Sequence, residues 1–354
     1  MRAVVVHAAG DVRVDEVPDP QPGPGEVLLA MEWGGICGSD ISYFRHGATG
    51  TAVLRHPLVL GHEVAGRVAA VGPDVAGIAE GDAATVHPAT LVGDVRLPDR
   101  IAGRTNLHPH VRYFGSAAFD PHTDGGFSEY RVVRADQVRT LPAGVSTEHG
   151  ALAEPLGVAL HAVHRAGDLR GRTVLVNGAG PIGSLVVAAA KHRGATAVVA
   201  SDVAAPALAV AAAMGADSTV DLTVSALPDD VEVVVEASGA PAAIGPVLRA
   251  TARGGTVVQV GNLPGSAVSA VLGDLVTREI TWVGSYRFVD EIDDALIAMR
   301  NGLDVSPVIT HRFPLDQAEH ALRTAADRTT GSSKVLLSLS PAGGAARPAP
   351  GSAV

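Results

Sequence analysis

The stretch Val174-Leu175-Val176-Asn177-Gly178-Ala179-Gly180-Pro181-Ile182-Gly183 decides how the chain is built. A short apolar run, of the kind buried in a parallel sheet, leads directly into G-x-G-x-x-G, and Pro181 opens a helical pattern. Gly178, Gly180 and Gly183 permit a tight turn, close approach of backbone to a pyrophosphate, and packing of helix on strand. With Pro181 and Ile182 they form the candidate phosphate loop, because the helix N-terminus offers free N–H groups to an anion. The glycines alone would also suit a plain turn. Asp202 follows the next strand, 24 positions after Gly178, where a carboxylate can accept from ribose hydroxyls. It also suits a helix N-cap ahead of Ala205, and the two roles are compatible. No Lys or Arg lies between Asp202 and Met214 to meet a 2′-phosphate, so the charge pattern favours NAD over NADP.

Outward from this stretch, strands at 173–177, 197–201, 231–236 and 256–260 alternate with helices at 181–192, 205–214 and 241–250. That alternation predicts a doubly wound parallel sheet. The earlier chain has a different texture, with strands at 3–7, 12–17, 26–33, 63–71, 83–87 and 127–134, little helix, and many turn residues. It reads as a partly open β-barrel. Residues 88–126 lack periodicity and form a long excursion. Helices at 151–166, 290–300 and 315–326 and a strand at 334–339 complete the pattern. The expected organisation is therefore α/β, with a barrel-like catalytic domain at 1–148, a Rossmann domain at 149–288, and a return to the first domain at 289–340. The Pro/Gly/Ala-rich tail, 341–354, is expected to be disordered.

At 354 residues two domains are the default. A net charge of −10 argues against nucleic-acid and anionic-membrane partners. The single cysteine excludes an internal disulfide and suits a reducing compartment, and no signal-like or membrane-spanning stretch is evident. A cytoplasmic protein is expected.

That one cysteine sits in Gly34-Gly35-Ile36-Cys37-Gly38-Ser39-Asp40, and Leu60-Gly61-His62-Glu63-Val64-Ala65-Gly66 follows 25 positions on. Thiolate, imidazole and carboxylate are zinc ligand types, and a catalytic zinc leaves one position open. Taken singly, Cys37 suits a small buried hydrophobe and His62 a core histidine. Beside a nicotinamide fold they gain a purpose, since zinc can polarise an alcohol whose carbon gives up hydride. Glu63 and Glu154 are the candidates to complete the shell.

Gly61-His62-Glu63-x-x-Gly66, Cys37-Gly38-Ser39-Asp40, Glu154-Pro155-Leu156 and the Gly178–Gly183 loop together resemble the zinc-dependent medium-chain dehydrogenase/reductase superfamily. The likeness runs over about residues 1 to 340. Its polyol (sorbitol) dehydrogenase branch fits best, with Glu154 rather than a second cysteine and with Tyr43 six positions after Cys37. The segments 43–47, 111–117 and 121–127 are most similar to the L-idonate 5-dehydrogenases of that branch. The resemblance implies a GroES-like barrel, with zinc held by Cys37, His62 and Glu63. Glu154 would hold the zinc-bound water or substrate, or join the shell itself. It further implies a proton relay at Ser39, and substrate binding by Tyr43 and Arg287, within Gly284-Ser285-Tyr286-Arg287-Phe288. Arg287 could grip an aldonate carboxylate in a bidentate pair, or be a surface ion pair. Val260, Gly261 and Ser285 join the expected cofactor contacts. Phe114 could line the same cleft or belong to the core.

Many members carry a second, structural zinc on four cysteines spaced C-x2-C-x2-C-x7-C. This chain has Asp94, Leu97, Arg100 and His108 at that spacing, so no structural zinc is expected. His108, His110 and His122 are expected to be solvated loop histidines. The expected activity is oxidation of L-idonate to 5-dehydro-D-gluconate, or its reverse, with NAD and one zinc per subunit in a homodimer or homotetramer. Rival readings are a sorbitol, xylitol or L-threonine dehydrogenase, a zinc-free reductase, and a non-catalytic dinucleotide-binding protein.

Overall fold

The computed structural model describes residues 1–340; the expected disordered tail lies outside them. The described chain forms two compact units, one of Met1–Glu154 with residues 309–340, the other Pro155–Val308.

The first unit is organised on the strand Glu26–Gly35, which pairs antiparallel with Glu63–Val71, Tyr130–Arg134 and Lys334–Ser338. Among the described residues it lies in a seven-stranded sheet that also holds Ala83–Val86, Val138–Thr140 and Ile309–Pro314. Arg2–Ala8, Asp11–Glu16 and Leu58–Val59 make a smaller sheet. The Val4 amide bonds to the Phe127 carbonyl and the Glu129 amide to the Arg2 carbonyl, joining the smaller sheet to the segment that leads into Tyr130–Arg134 as a partly open barrel. Few aromatics are available, so Val and Leu fill most of the interior, with Tyr43, Phe44, Phe114 and Phe127 among them. Phe114 is thus in the core.

Three features of this unit depart from the sequence reading. The helix Gly38–His46 breaks the expected run of strands; Cys37 is its N-cap, and Gly47 closes it at φ 64°. The excursion at 88–126 has order of its own: Ala89–Leu91 pairs with Val111–Tyr113, and Ser116 bridges Thr123. Two of its histidines are buried rather than solvated. His122 accepts from the Arg55 amide at 2.9 Å, has Nδ1 2.9 Å from the Phe119 carbonyl, and stacks on His56. The His108 Nδ1 lies 2.9 Å from the His110 carbonyl. Buried imidazoles bonded to backbone thus help to fix the lobe.

The second unit carries a parallel sheet of six strands among the described residues. Their order is Ser218–Asp221, Ala197–Asp202, Thr173–Asn177, Val231–Glu236, Thr251–Gln259 and Thr281–Gly284. Strand order reverses between Thr173–Asn177 and Val231–Glu236, the switch point at which such sheets bind ligands. The two edge strands were not expected, because their side chains are largely exposed and give no apolar run.

Glu291, at the start of the helix Glu291–Arg300, lies 2.8 Å from His161 Nδ1 and 3.2 Å from His164 Nδ1, and accepts from the Val289 amide. Burial raises its carboxyl, but the bonds from His161, His164 and Val289 outweigh this and hold it far below the ordinary value of 4.5. A depressed carboxyl contributes stability above its unfolded value and loses it as pH falls. Thermal denaturation should therefore show Glu291→Gln less stable than wild type at neutral pH, with the gap shrinking below about pH 4.5. A gap that widens on acidification would contradict the assignment.

Candidate metal centre and dinucleotide loop

Pairing in the first unit's sheet sets Glu63 directly opposite Gly35. A Cβ on Gly35 would lie within 2.2 Å of the Glu63 carboxylate, so only glycine lets the carboxylate lie there. Just past this point the chain turns through Ile36 into Cys37, while His62 immediately precedes Glu63. The Cys37 sulfur, a His62 ring nitrogen and a Glu63 oxygen accordingly lie within 4.8 Å of one another. His62 and Glu63 are buried and Cys37 is half-buried.

Three residues with no role in the sequence reading hold this cluster. Asp40, fully buried, accepts from the Cys37 amide at 2.9 Å and the Gly61 amide at 3.2 Å, tying the two ligand segments together. Burial pushes its carboxyl up, against the pull of His62. Lys334 donates to both Glu63 oxygens at 2.7 Å. The Tyr113 hydroxyl donates to Glu154 Oε1 at 2.7 Å, and its ring meets His62 edge-on. Asp40 had a legible signal, an acid three residues after an N-cap. A lysine opening an apolar strand and a tyrosine inside an irregular loop gave none.

Acidic groups crowd the cluster, and burial pushes the Glu63 carboxyl up to about 7 against the pull of Lys334. Burial lowers the His62 pKa, but Cys37, Asp40 and Glu154 outweigh it and raise it to about 10. Surroundings that hold a proton so firmly also attract a metal cation. Sulfur, imidazole and carboxylate donors brought together in a largely buried setting fit zinc. Among the described residues no other group of acids, histidines and cysteine meets these distances.

Ser39 sits in the first turn of the helix Gly38–His46, half-buried. Tyr43 is buried in the core, its hydroxyl accepting from the Ala117 amide at 2.8 Å. Arg287 belongs to the second unit, at φ 52°, with its guanidinium over the Tyr286 ring.

The dinucleotide loop is likewise in the second unit. Gly180 is the N-cap of the helix Pro181–His192, which includes Ile182 and Gly183. Gly178, at φ 94°, lies against Ser238, and Gly261 against Gly239. Val260 and Gly261 both donate to the Glu236 carbonyl. The sheet thus gathers Gly178, Ser238–Gly239 and Val260–Gly261 at the carboxyl ends of three strands. Asp202 accepts from the amides of Ala179, Val203 and Ala204, so it holds the phosphate loop and the turn after its strand; the N-cap of the next helix, Ala205–Ala213, is Ala204 and not Asp202 as expected. The Ser285 amide donates to the Gln259 carbonyl, and its buried Oγ has no hydrogen-bond partner in the structure.

Two family models match: the alcohol dehydrogenase GroES-like domain over residues 23–143 and the zinc-binding dehydrogenase domain over 181–300. Sorbitol dehydrogenase of Gallus gallus is 39% identical over 338 residues, covering 91% of this chain and 92% of its own. The chain belongs to the zinc-dependent medium-chain dehydrogenase/reductases, in their polyol dehydrogenase branch. L-idonate 5-dehydrogenase (NAD(P)(+)) of Escherichia coli is 36% identical, covering 85% of this chain and 89% of its own. A crystal structure of the Escherichia coli L-idonate 5-dehydrogenase matches with a TM-score of 0.89 at 35% identity, over 95% of this chain and 97% of that one. A zinc-binding dehydrogenase from Sinorhizobium meliloti, solved with NADP, matches at 0.85 and 33% identity, over 95% and 98%. The polyol and sugar-acid dehydrogenases are zinc-dependent and use a nicotinamide nucleotide, and their substrates are small molecules. No helix among the described residues is long and apolar enough to cross a membrane.

A Cβ on Gly183 would fall 1.8 Å from the Gly178 carbonyl oxygen. Gly183→Ala is expected to weaken NADH binding at least about tenfold in a fluorescence titration, with circular dichroism unchanged. An unaltered Kd would place the nucleotide elsewhere.

Proposed function

We propose that the protein is an NAD-dependent dehydrogenase of a sugar acid, oxidising L-idonate at carbon 5 to 5-dehydro-D-gluconate or running the reverse reaction. The observation that carries this reading is the buried cluster of Cys37, His62 and Glu63, with Glu154 oriented by Tyr113, in a chain that also bears the dinucleotide loop. One zinc would be held by Cys37 and His62 with the carboxylates of Glu63 and Glu154. A structural zinc is not proposed, because Asp94, Leu97, Arg100 and His108 do not form a ligand set. When bound, the zinc supplies Lewis-acid polarisation of the substrate hydroxyl and the nicotinamide accepts hydride.

The chain's own groups do the rest. Ser39 takes the alcohol proton toward solvent. The Tyr43 hydroxyl accepts from the Ala117 amide, and its O–H is the group that donates to a substrate hydroxyl. Arg287 pairs with the aldonate carboxylate, which a polyol lacks. Asp202 retains lone pairs for the ribose hydroxyls beside its three amide bonds. Residues 203–214 bring no cation for a 2′-phosphate, which supports NAD. A homodimer or homotetramer is proposed, and the lone thiol suits the reducing cytoplasm. The second reading is a sorbitol dehydrogenase, favoured by the 39% identity to the Gallus gallus enzyme.

A substrate panel separates the two. NADH formation should be fastest with L-idonate among L-idonate, D-gluconate, sorbitol, xylitol and L-threonine. Turnover of sorbitol with none of L-idonate sinks the sugar-acid assignment. Cys37→Ser should lose zinc by mass spectrometry and lose activity, yet bind NADH; unchanged turnover would overturn the zinc mechanism.

A further inference from the structure

Glu236 carries a buried negative charge that the proposed reaction does not use. It ends the strand Val231–Glu236 and is 1% exposed. Its Oε1 accepts from the Ser238 amide at 2.8 Å, from the Ser238 hydroxyl, and from the Asn177 side-chain amide at 3.3 Å. Its Oε2 accepts from the Gly239 amide at 3.2 Å and from Gln259 Nε2. All of these partners are neutral donors, which satisfy a carboxylate anion but leave its net charge in place. Among the described residues no cation pairs with Glu236. Gln259 Nε2 also donates to the Gly261 carbonyl at 2.8 Å, while Gln259 Oε1 is buried without a hydrogen-bond partner. The ends of these two strands thus hold a carboxylate without a counter-ion and a carbonyl oxygen without a donor.

A dinucleotide crosses a doubly wound sheet at its switch point. With the pyrophosphate on Gly178–Gly183 and a ribose on Asp202, the nicotinamide half falls to the other side of the switch. That side is formed by the carboxyl ends of Val231–Glu236 and Thr251–Gln259. The nicotinamide ring carries a positive charge in NAD+ and none in NADH. We propose, on the nicotinamide reading above, that the Glu236 charge biases the site toward the oxidised nucleotide. Together with the orphan Gln259 oxygen it favours the cationic ring and does nothing for the neutral one. By linkage, whatever tightens NAD+ alone makes the bound nucleotide harder to reduce. Glu236 thereby shifts the hydride equilibrium on the protein toward alcohol and NAD+.

Calorimetric titration of the zinc-replete protein with NAD+ and with NADH gives the ratio of their dissociation constants. In Glu236→Gln that ratio, NAD+ over NADH, should rise about tenfold, the effect of one unit charge at ~10 Å and an effective dielectric near 20. Gln259 can turn its amide and offer the orphan Oε1 to the new NH2 group, so the turn keeps its bonds. Glu236→Asp retains the charge and should hold the ratio within about threefold of wild type, even where both nucleotides bind more weakly. Gln259→Lys leaves Glu236 in place and supplies the missing counter-ion. The ratio should rise there too, which decides the question if Glu236→Gln does not fold. A purely structural role weakens both nucleotides alike. A ratio within about twofold of wild type in folded Glu236→Gln or Gln259→Lys therefore overturns the proposal. So does a rise in Glu236→Asp equal to that in Glu236→Gln. A wild-type protein that binds neither nucleotide would instead remove the nicotinamide reading itself.

Discussion

The buried bond between Lys334 and Glu63 is the constraint on which the first unit's site depends. It joins a residue near the end of the described chain to a strand 271 positions earlier. Burying an ion pair is costly unless its remaining donors are satisfied, and here the Ile36 carbonyl takes the third. Removing one partner of such a pair typically costs about 3–5 kcal/mol, so the pair resists local rearrangement. The antiparallel sheet makes the contact possible, because Lys334–Ser338 and Glu63–Val71 flank the same central strand, Glu26–Gly35. Asp40 supplies the complementary tie, gripping the amides of Cys37 and Gly61. Backbone pairing brings the segments close, and these two charged side chains set how they meet.

The second unit solves a different problem with neutral geometry. Its parallel strands end together, and their connecting turns are packed so closely that Gly178, Gly183 and Gly261 have no room for side chains. Asp202 then anchors the phosphate loop through the Ala179 amide. The loop is therefore held in shape before any nucleotide arrives, which lowers the ordering cost of binding.

Much of this was legible in the residues, for identifiable reasons. The strand Thr173–Asn177, the helix Pro181–His192 and the strand Val231–Glu236 could be read to the residue, because apolar runs and glycine punctuation agree there. The strands Ser218–Asp221 and Thr281–Gly284 could not, since an exposed edge strand leaves little hydrophobic pattern. The helix Gly38–His46 was hidden by its glycine-rich entry. At the metal centre, Cys37 and His62 declared themselves by chemistry and motif. Lys334 and Tyr113 did not, because their meaning lies in contacts across 271 and 41 positions. His108 and His122 look like loop histidines in sequence; His122 is buried against the distant Arg55 amide, and His108 against the backbone of His110.

The proposed metal ion sits on Cys37 and His62, bordered by Glu63 and Glu154. Anomalous diffraction at the zinc absorption edge, on crystals of the purified protein, tests it most directly. One strong peak per chain is expected within bonding distance of the Cys37 sulfur and a His62 ring nitrogen, and none in the lobe at 88–126. A peak in that lobe alone, or crystals of a zinc-replete preparation with no peak at Cys37, would contradict it.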